Sequence, residues 1–391
     1  MSRQISSGID IGNHQTKVII TETIDGALLP RIIGIGAAES KGLRRGFVVN
    51  TAETAKSVKN AINQAEKTAG LQIKKVFLSV GGVGVNSFTQ IGTTVISRAD
   101  WEITDLDINK AVEESQNTIT ENALLNRKII HNIPLSFKID GKSIWGQPVG
   151  MKGSKLEAKT FFVTCLEQHL DNLTEAVELA GVKVESLTAS PFPASLVNLT
   201  KAQKIAGVAL ANIGAETTTI AVIENDLPIS LEILPFGSSD ITNDIALGLK
   251  ISLEEAENLK TGNTPLGSFS RRKLDEIIEA RLSDIFELIN THLKKIGRNG
   301  LLPAGIVMTG GGAGTINIEQ SARVNLNLPA KALTGLLGAN SKIQVKENIW
   351  SIVYGLCLIG KEGAAIDNFG HNFAQKNILN KIKIWLKQFM P

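Results

Sequence analysis

Two copies of one hairpin constrain this chain more than any other feature. The stretch Gly8-Ile9-Asp10-Ile11-Gly12-Asn13-His14-Gln15-Thr16-Lys17-Val18-Ile19-Ile20 reads as a short strand, a tight polar turn and a second strand. Residues 207–224 align with it without gaps, placing Asn212-Ile213-Gly214 on Asp10-Ile11-Gly12, Thr218 on Thr16 and Glu224 on Glu22. A repeated supersecondary unit implies two related halves facing one cleft. The chemistry suits phosphate: Gly12 allows close backbone approach with N–H donors, and Lys17 can reach outer phosphates as a point charge. Asp10 can hold Mg²⁺ through its water shell. An ordinary hairpin turn explains either stretch alone; the pair is what points to a ligand.

The 391 residues exceed one ordinary core and predict two to four lobes, and 43% apolar residues suffice for buried sheets. A net charge of +3, from 41 basic and 38 acidic residues, sets up no field for nucleic acid, so none is expected as a partner. Cys165 and Cys357 both lie in apolar surroundings, which fits a reducing compartment and argues against a disulfide framework. The start, Met1-Ser2-Arg3-Gln4, reads as lacking a secretion signal. The longest apolar run, 349–359, is about half of what a membrane crossing needs.

Along the chain, 31–36 alternates like an edge strand, and 42–46 is a polar turn. Thr51 opens a helix carrying Ala55, Val58, Ala61, Ile62 and Ala65 on one face, and 76–80 is a buried strand. From 83 to 163 polar alternating strands (87–97, 128–139, 159–163) surround one amphipathic helix starting near Thr104 or Asp107, with loops at 141–155. This predicts a small α+β module inserted into the first lobe, with a decorated loop as the alternative. A helix at 167–180 stops at Gly181, and Ser252-Leu253-Glu254-Glu255 is a capping-box candidate. A long amphipathic helix follows at 274–293, then a buried strand running into Gly310-Gly311-Gly312-Ala313-Gly314.

In this order the motifs resemble the actin-fold ATPases, the superfamily of actin, the heat-shock chaperones and the sugar kinases. Within it the chain resembles FtsA, the bacterial division family that anchors FtsZ filaments to the membrane. The likeness rests on Gly8-Ile9-Asp10-Ile11-Gly12 with His14-Gln15-Thr16-Lys17, on Ser79-Val80-Gly81-Gly82 leading into the inserted module, and on His131-Asn132-Ile133-Pro134. Glu276-Ile277-Ile278-Glu279-Ala280-Arg281 and a terminal amphipathic segment complete it.

The resemblance implies an α/β actin-like ATPase fold: a first lobe of 1–82, 164–203 and 335–362, the module at 83–163, and a second lobe at 204–334. It implies ATP and Mg²⁺ as cofactors. Asp10, Gly12, Asn13, Gln15, Thr16 and Lys17 would surround phosphate and metal with Asn212, Gly214, Ala215, Glu216 and Thr217. Gly237 and Ser238 would lie beside the phosphates, Glu257 and Lys260 would flank the nucleoside, and Gly311 and Gly312 would lie under it. A plain i,i+3 surface pair is the alternative for Glu257 and Lys260. The FtsZ C-terminal tail would dock on 240–329, where Arg281 is a candidate for the acidic peptide and a solvated face the alternative. Self-assembly into filaments, later division proteins on the module, and a place at the division site on the cytoplasmic face of the inner membrane follow from the same likeness. A PilM-type pilus scaffold is the nearer alternative, a sugar-kinase-type phosphotransferase the more distant one.

The second hairpin departs from the family pattern Asp-x-Gly-Gly-Gly-Thr-Thr-Asp. Asn212 lacks the carboxylate charge, and Glu216 stands where a glycine is usual, beside the expected phosphates. An ionised Glu216 about 4 Å away would oppose each phosphate charge by roughly 1–4 kcal/mol, and a left-handed backbone there would add about 1–2 kcal/mol. These departures predict that nucleotide binds weakly, or binds without being turned over, as in an ATP-responsive scaffold with slow or no hydrolysis. Beyond a polar linker at 363–375, residues 376–391 place Ile378, Ile382, Trp385, Leu386 and Phe389 on one helical face, with Leu379 beside them and Lys381, Lys383 and Lys387 among the lysines. That pattern predicts a helix lying on an anionic membrane surface; docking on its own domain or on a partner is the alternative.

Overall fold

The computed structural model describes residues 3–24, 29–263, 269–339 and 341–361. Each hairpin opens a five-stranded sheet, and the two sheets share one plan. In the first, Arg31–Glu39, Gln15–Ile24 and Arg3–Ile11 run antiparallel, and Lys75–Val80 and Lys183–Ala189 extend the sheet in parallel. In the second, Leu227–Leu234, Thr218–Glu224 and Val208–Ile213 run antiparallel, extended in parallel by Ile306–Thr309 and Ala330–Ala332. The central strands are near-continuous apolar runs because helices cover both faces.

On the outer face of the first sheet, helix Thr51–Ala69 buries the apolar stripe of Ala55, Val58, Ala61, Ile62 and Ala65, and Glu167–Leu179 adds Leu170, Leu173 and Val177. Asn50 caps the first of these helices, its side chain accepting from the Glu53 N–H at 3.1 Å. The long helix Arg271–Lys295 serves the second sheet in the same way through Leu274, Ile278, Leu282, Ile285, Phe286, Ile289 and Leu293. Two helices form a layer shared by both sheets. Pro191–Asn198 and Glu347–Lys361 send Ala194 and Ile352 toward the second sheet, while Val353, Tyr354 and Cys357 pack on the first. They cross so closely that a side chain at Gly355 would put its Cβ 2.1 Å from the Pro193 carbonyl oxygen. The apolar run at 349–359 is therefore a core helix between sheets, and no helix among the described residues is long and apolar enough to cross a membrane.

Residues Val85–Leu166 build a separate four-stranded sheet in the order Val85–Val95, Lys155–Leu166, Arg127–Ile139, Lys142–Ile144. Helix Asp105–Asn117 packs on it through Ile108, Ala111 and Val112. Two details differ from the sequence reading. The strand expected at 159–163 runs over Lys155–Leu166, longer at both ends, and a strand at Lys142–Ile144 replaces part of the expected loop. The cause is Asp140-Gly141, whose φ values of 49° and 79° suit the two-residue turn that closes a tight hairpin. The module also reaches the second lobe. Ser87 Oγ donates to the Leu231 carbonyl at 2.8 Å and accepts from the Leu231 N–H at 3.2 Å, joining two sheet edges. Both cysteines are free and buried, and burial pushes each thiol up to about 12. The linker at 363–375 and the amphipathic segment at 376–391 lie outside the described residues.

Candidate functional site

The site begins with strand register. Asp10 is paired with Lys17 across the first hairpin, so their side chains share one face, with Gln15 two residues from Lys17 on that same face. Asp10 Oδ1 accepts from Ser79 Oγ at 2.6 Å, and Oδ2 lies 3.2 Å from Lys17 Nζ. Lys17 also donates to the Ile349 carbonyl at 3.3 Å, which ties the hairpin to the start of the shared helix Glu347–Lys361. Thr16 turns to the opposite face, where its buried hydroxyl lies 2.9 Å from Ser40 Oγ. Its side chain therefore braces the hairpin, whereas the resemblance had set it around phosphate and metal.

The second hairpin repeats the turn geometry. The Gly214 N–H donates to the Thr217 carbonyl at 2.8 Å, as the Gly12 N–H does to Gln15 at 3.2 Å. The Ser238 and Ser239 N–H groups donate to the Gly214 and Ala215 carbonyls, both at 2.8 Å. No side chain fits at Gly237, where a Cβ would stand 2.4 Å from the Ala215 oxygen. Gly310 holds φ 88° against Asn212 and Ile213. The two following glycines differ: a Cβ on Gly312 would meet Ile213 at 2.5 Å, whereas Gly311 faces open space. Gly312 is thus a packing glycine and Gly311 the one that leaves room for a ligand.

Lys260 is no surface residue. It is buried, with Nζ 2.7 Å from Glu257 Oε2, 2.8 Å from Thr242 Oγ1 and 3.0 Å from the Ser238 carbonyl. Burial acts to raise the Glu257 carboxyl, but hydrogen bonds from Lys260 and Thr242, with the charges of Lys260 and His14, outweigh it and hold the group below its usual range.

Glu216 corrects the sequence reading in two ways. It is absent from the left-handed residues, so the expected backbone strain does not exist. Its carboxylate also crosses to the first lobe, where Oε2 accepts from Asn13 Nδ2 at 2.8 Å and from the Arg45 N–H at 2.6 Å. Arg281 is likewise engaged within the molecule. Its guanidinium grips Asp244 through two hydrogen bonds of 2.6 and 3.1 Å and lies 3.3 Å from Asp284, so a partner carboxylate would have to compete with Asp244.

The tip N–H groups of Asn13, His14, Ala215 and Glu216 find no acceptor among the described residues. Unused N–H groups at facing turns, with Lys17 behind them, fit a bound phosphate chain. No three His, Cys, Asp or Glu side chains converge among the described residues, so a magnesium ion would rest on Asp10, phosphate and water. Sequence reasoning gave Ser79, Thr242 and the Asn348–Ile349 backbone no role here. Thr242 could have been read from its place one helical turn after Ser238. The Asn348 carbonyl accepts from the Gly310 N–H at 2.7 Å, and nothing in the local sequence signals that contact.

Two sheets of one plan, a shared helical layer and paired hairpins at their meeting place define an actin-like fold. Solved structures agree on the architecture. The PilM–PilN type IV pilus biogenesis complex superposes with TM-score 0.67 at 16% identity, covering 91% of this chain and 98% of that one. The ADP-bound MreB5 of Spiroplasma citri superposes with TM-score 0.52 at 12% identity, covering 92% and 97%. The sequence is more specific. A family model of cell division protein FtsA matches residues 209–351, and a model of the SHS2 domain inserted in FtsA matches 82–164. The chain is 32% identical to FtsA of Bacillus subtilis (strain 168) over 348 residues, 83% of this chain and 78% of that protein. It is 27% identical to FtsA of Escherichia coli (strain K12), covering 99% and 96%. The chain belongs to the FtsA family and is an actin-like cell division protein. The pilus scaffold shares its fold at low identity.

Proposed function

We propose that this protein binds ATP with Mg²⁺ between its two hairpins, assembles into filaments on the cytoplasmic face of the inner membrane at the division site, and tethers FtsZ polymers there. The observation that carries the nucleotide reading is the facing pair of hairpins, with the part-buried Asp10–Lys17 pair at one and unused N–H groups at both tips. Bound Mg²⁺–ATP supplies a phosphoanhydride and a cation that neutralises it. Lys17 would meet the outer phosphates, Asp10 the water shell of the metal, and Gly12, Asn13, Gly214, Ala215 and Thr217 would line the chain, with Gln15 nearby. Gly237 and Ser238 hold the second turn in place, Glu257 would face the nucleoside with Lys260 positioning its carboxylate from the buried side, and Gly311 would lie under it.

Membership of the FtsA family supports self-assembly and cell division partners in general; docking of the FtsZ C-terminal tail on 240–329, later division proteins on the module and anchorage by 376–391 are the finer parts of this proposal. Titration of ATP with Mg²⁺ by calorimetry tests the core of it. Lys17→Gln removes the cation facing the phosphates and should weaken binding at least tenfold. Equal affinity in the two proteins would overturn the assignment of this cleft.

A further inference from the structure

We infer that Glu216 is an internal ligand of the cleft: its carboxylate latches the lobes together and opposes a polyphosphate bound at the same place. The second half rests on the nucleotide reading above; the latch does not. Two donors from separate segments of the first lobe converge on one oxygen of Glu216, Asn13 Nδ2 at 2.8 Å and the Arg45 N–H at 2.6 Å. The Arg45 donor is held firmly. Arg45 and Gly46 take φ values of 49° and 82°, and Gly46 is stacked so tightly on Gly82 that a Cβ there would stand 2.3 Å from the Gly82 Cα. An ionised acceptor makes both bonds stronger than neutral ones.

In the gapless alignment Glu216 is the counterpart of His14, and it is Glu216 that crosses to the opposite lobe, to Asn13. A phosphate chain using the tip N–H groups of Asn13, His14, Ala215 and Glu216 meets this carboxylate, and like charges repel. Polyphosphate entry and release of Glu216 from Asn13 and Arg45 are therefore coupled.

The test uses the full chain, spin-labelled at the exposed helical positions Lys56→Cys and Glu254→Cys, one on each lobe; Cys165 and Cys357 are buried. Without nucleotide, Glu216→Ala and Asn13→Ala should each lengthen and broaden the inter-lobe distance distribution. Glu216→Gln, which keeps an accepting oxygen, should stay close to the unsubstituted protein. In titrations with Mg²⁺–ATP, Glu216→Ala and Glu216→Gln should bind about tenfold more tightly, equivalent to about 1.4 kcal/mol. A nucleotide-free distribution unchanged by both Glu216→Ala and Asn13→Ala overturns the latch. Equal ATP affinity with and without the Glu216 charge overturns the opposition. If no variant binds ATP, the nucleotide reading and the opposition fall together, while the distance measurement still decides the latch.

Discussion

Lys260 shows how much a single side chain's meaning depends on burial. As Glu257-x-x-Lys260 it reads equally as an exposed i,i+3 pair, yet its ammonium is enclosed by Glu257, Thr242 and the Ser238 carbonyl. Lys260→Met leaves those acceptors without their donor and should cost about 1–3 kcal/mol, read as a lower urea midpoint. Charge also bears on turnover. At the cleft Lys17 pairs with Asp10, Lys260 pairs with Glu257, and Glu216 adds a third carboxylate, an unfavourable balance for a polyanion. ATP hydrolysis should accordingly be slow or undetectable in a phosphate-release assay. A brisk, magnesium-dependent rate that Asp10→Ala abolishes would refute that expectation.

Among the elements, the helix of the inserted module offers the clearest pH-dependent contribution. The Asp107 carboxylate accepts from the Thr104 N–H at 2.8 Å and the Thr104 hydroxyl at 2.7 Å and is paired with Arg98. Burial acts to raise this group, but those hydrogen bonds and the Arg98 charge prevail and hold it below the ordinary aspartate range. A depressed carboxyl stabilises the fold above its unfolded value, about 3.9, and that contribution is lost as pH falls through the folded value. Asp107→Asn should therefore lower stability by about 0.5–2 kcal/mol at pH 7, with the difference vanishing in acid; thermal unfolding from pH 7 down to pH 3 measures it. Element by element, periodicity exposed the helices well, since the stripe from Ala55 to Ala65 and the core face of Arg271–Lys295 repeat at helical spacing. Short strands were harder. Leu43–Arg44 and Lys142–Ile144 are too short for alternation to show, and Arg45-Gly46 and Asp140-Gly141 were their available turn signals.

For the whole molecule the decisive prediction concerns residues 376–391. Four lysines near an anionic leaflet offer roughly 1 kcal/mol each, to which Trp385, Leu386 and Phe389 would add partial apolar burial. A modest anchor per molecule is multiplied when molecules polymerise. Co-sedimentation with anionic liposomes should be lost on deleting 376–391 and strengthened by ATP with Mg²⁺; pelleting that survives the deletion would remove the anchor from the proposed function. The sequence by itself determined the duplication, the two-lobed α/β plan and the Asp10–Lys17 hairpin, because strand period and a gapless repeat are local properties of the chain. Only the tertiary structure decided that Lys17 meets the Ile349 carbonyl, that Lys260 is buried, that Arg281 already holds Asp244, and that Glu216 reaches Asn13 and Arg45. Each of those contacts joins segments distant in sequence or depends on burial, and which lone pair meets which proton is settled only when the lobes pack.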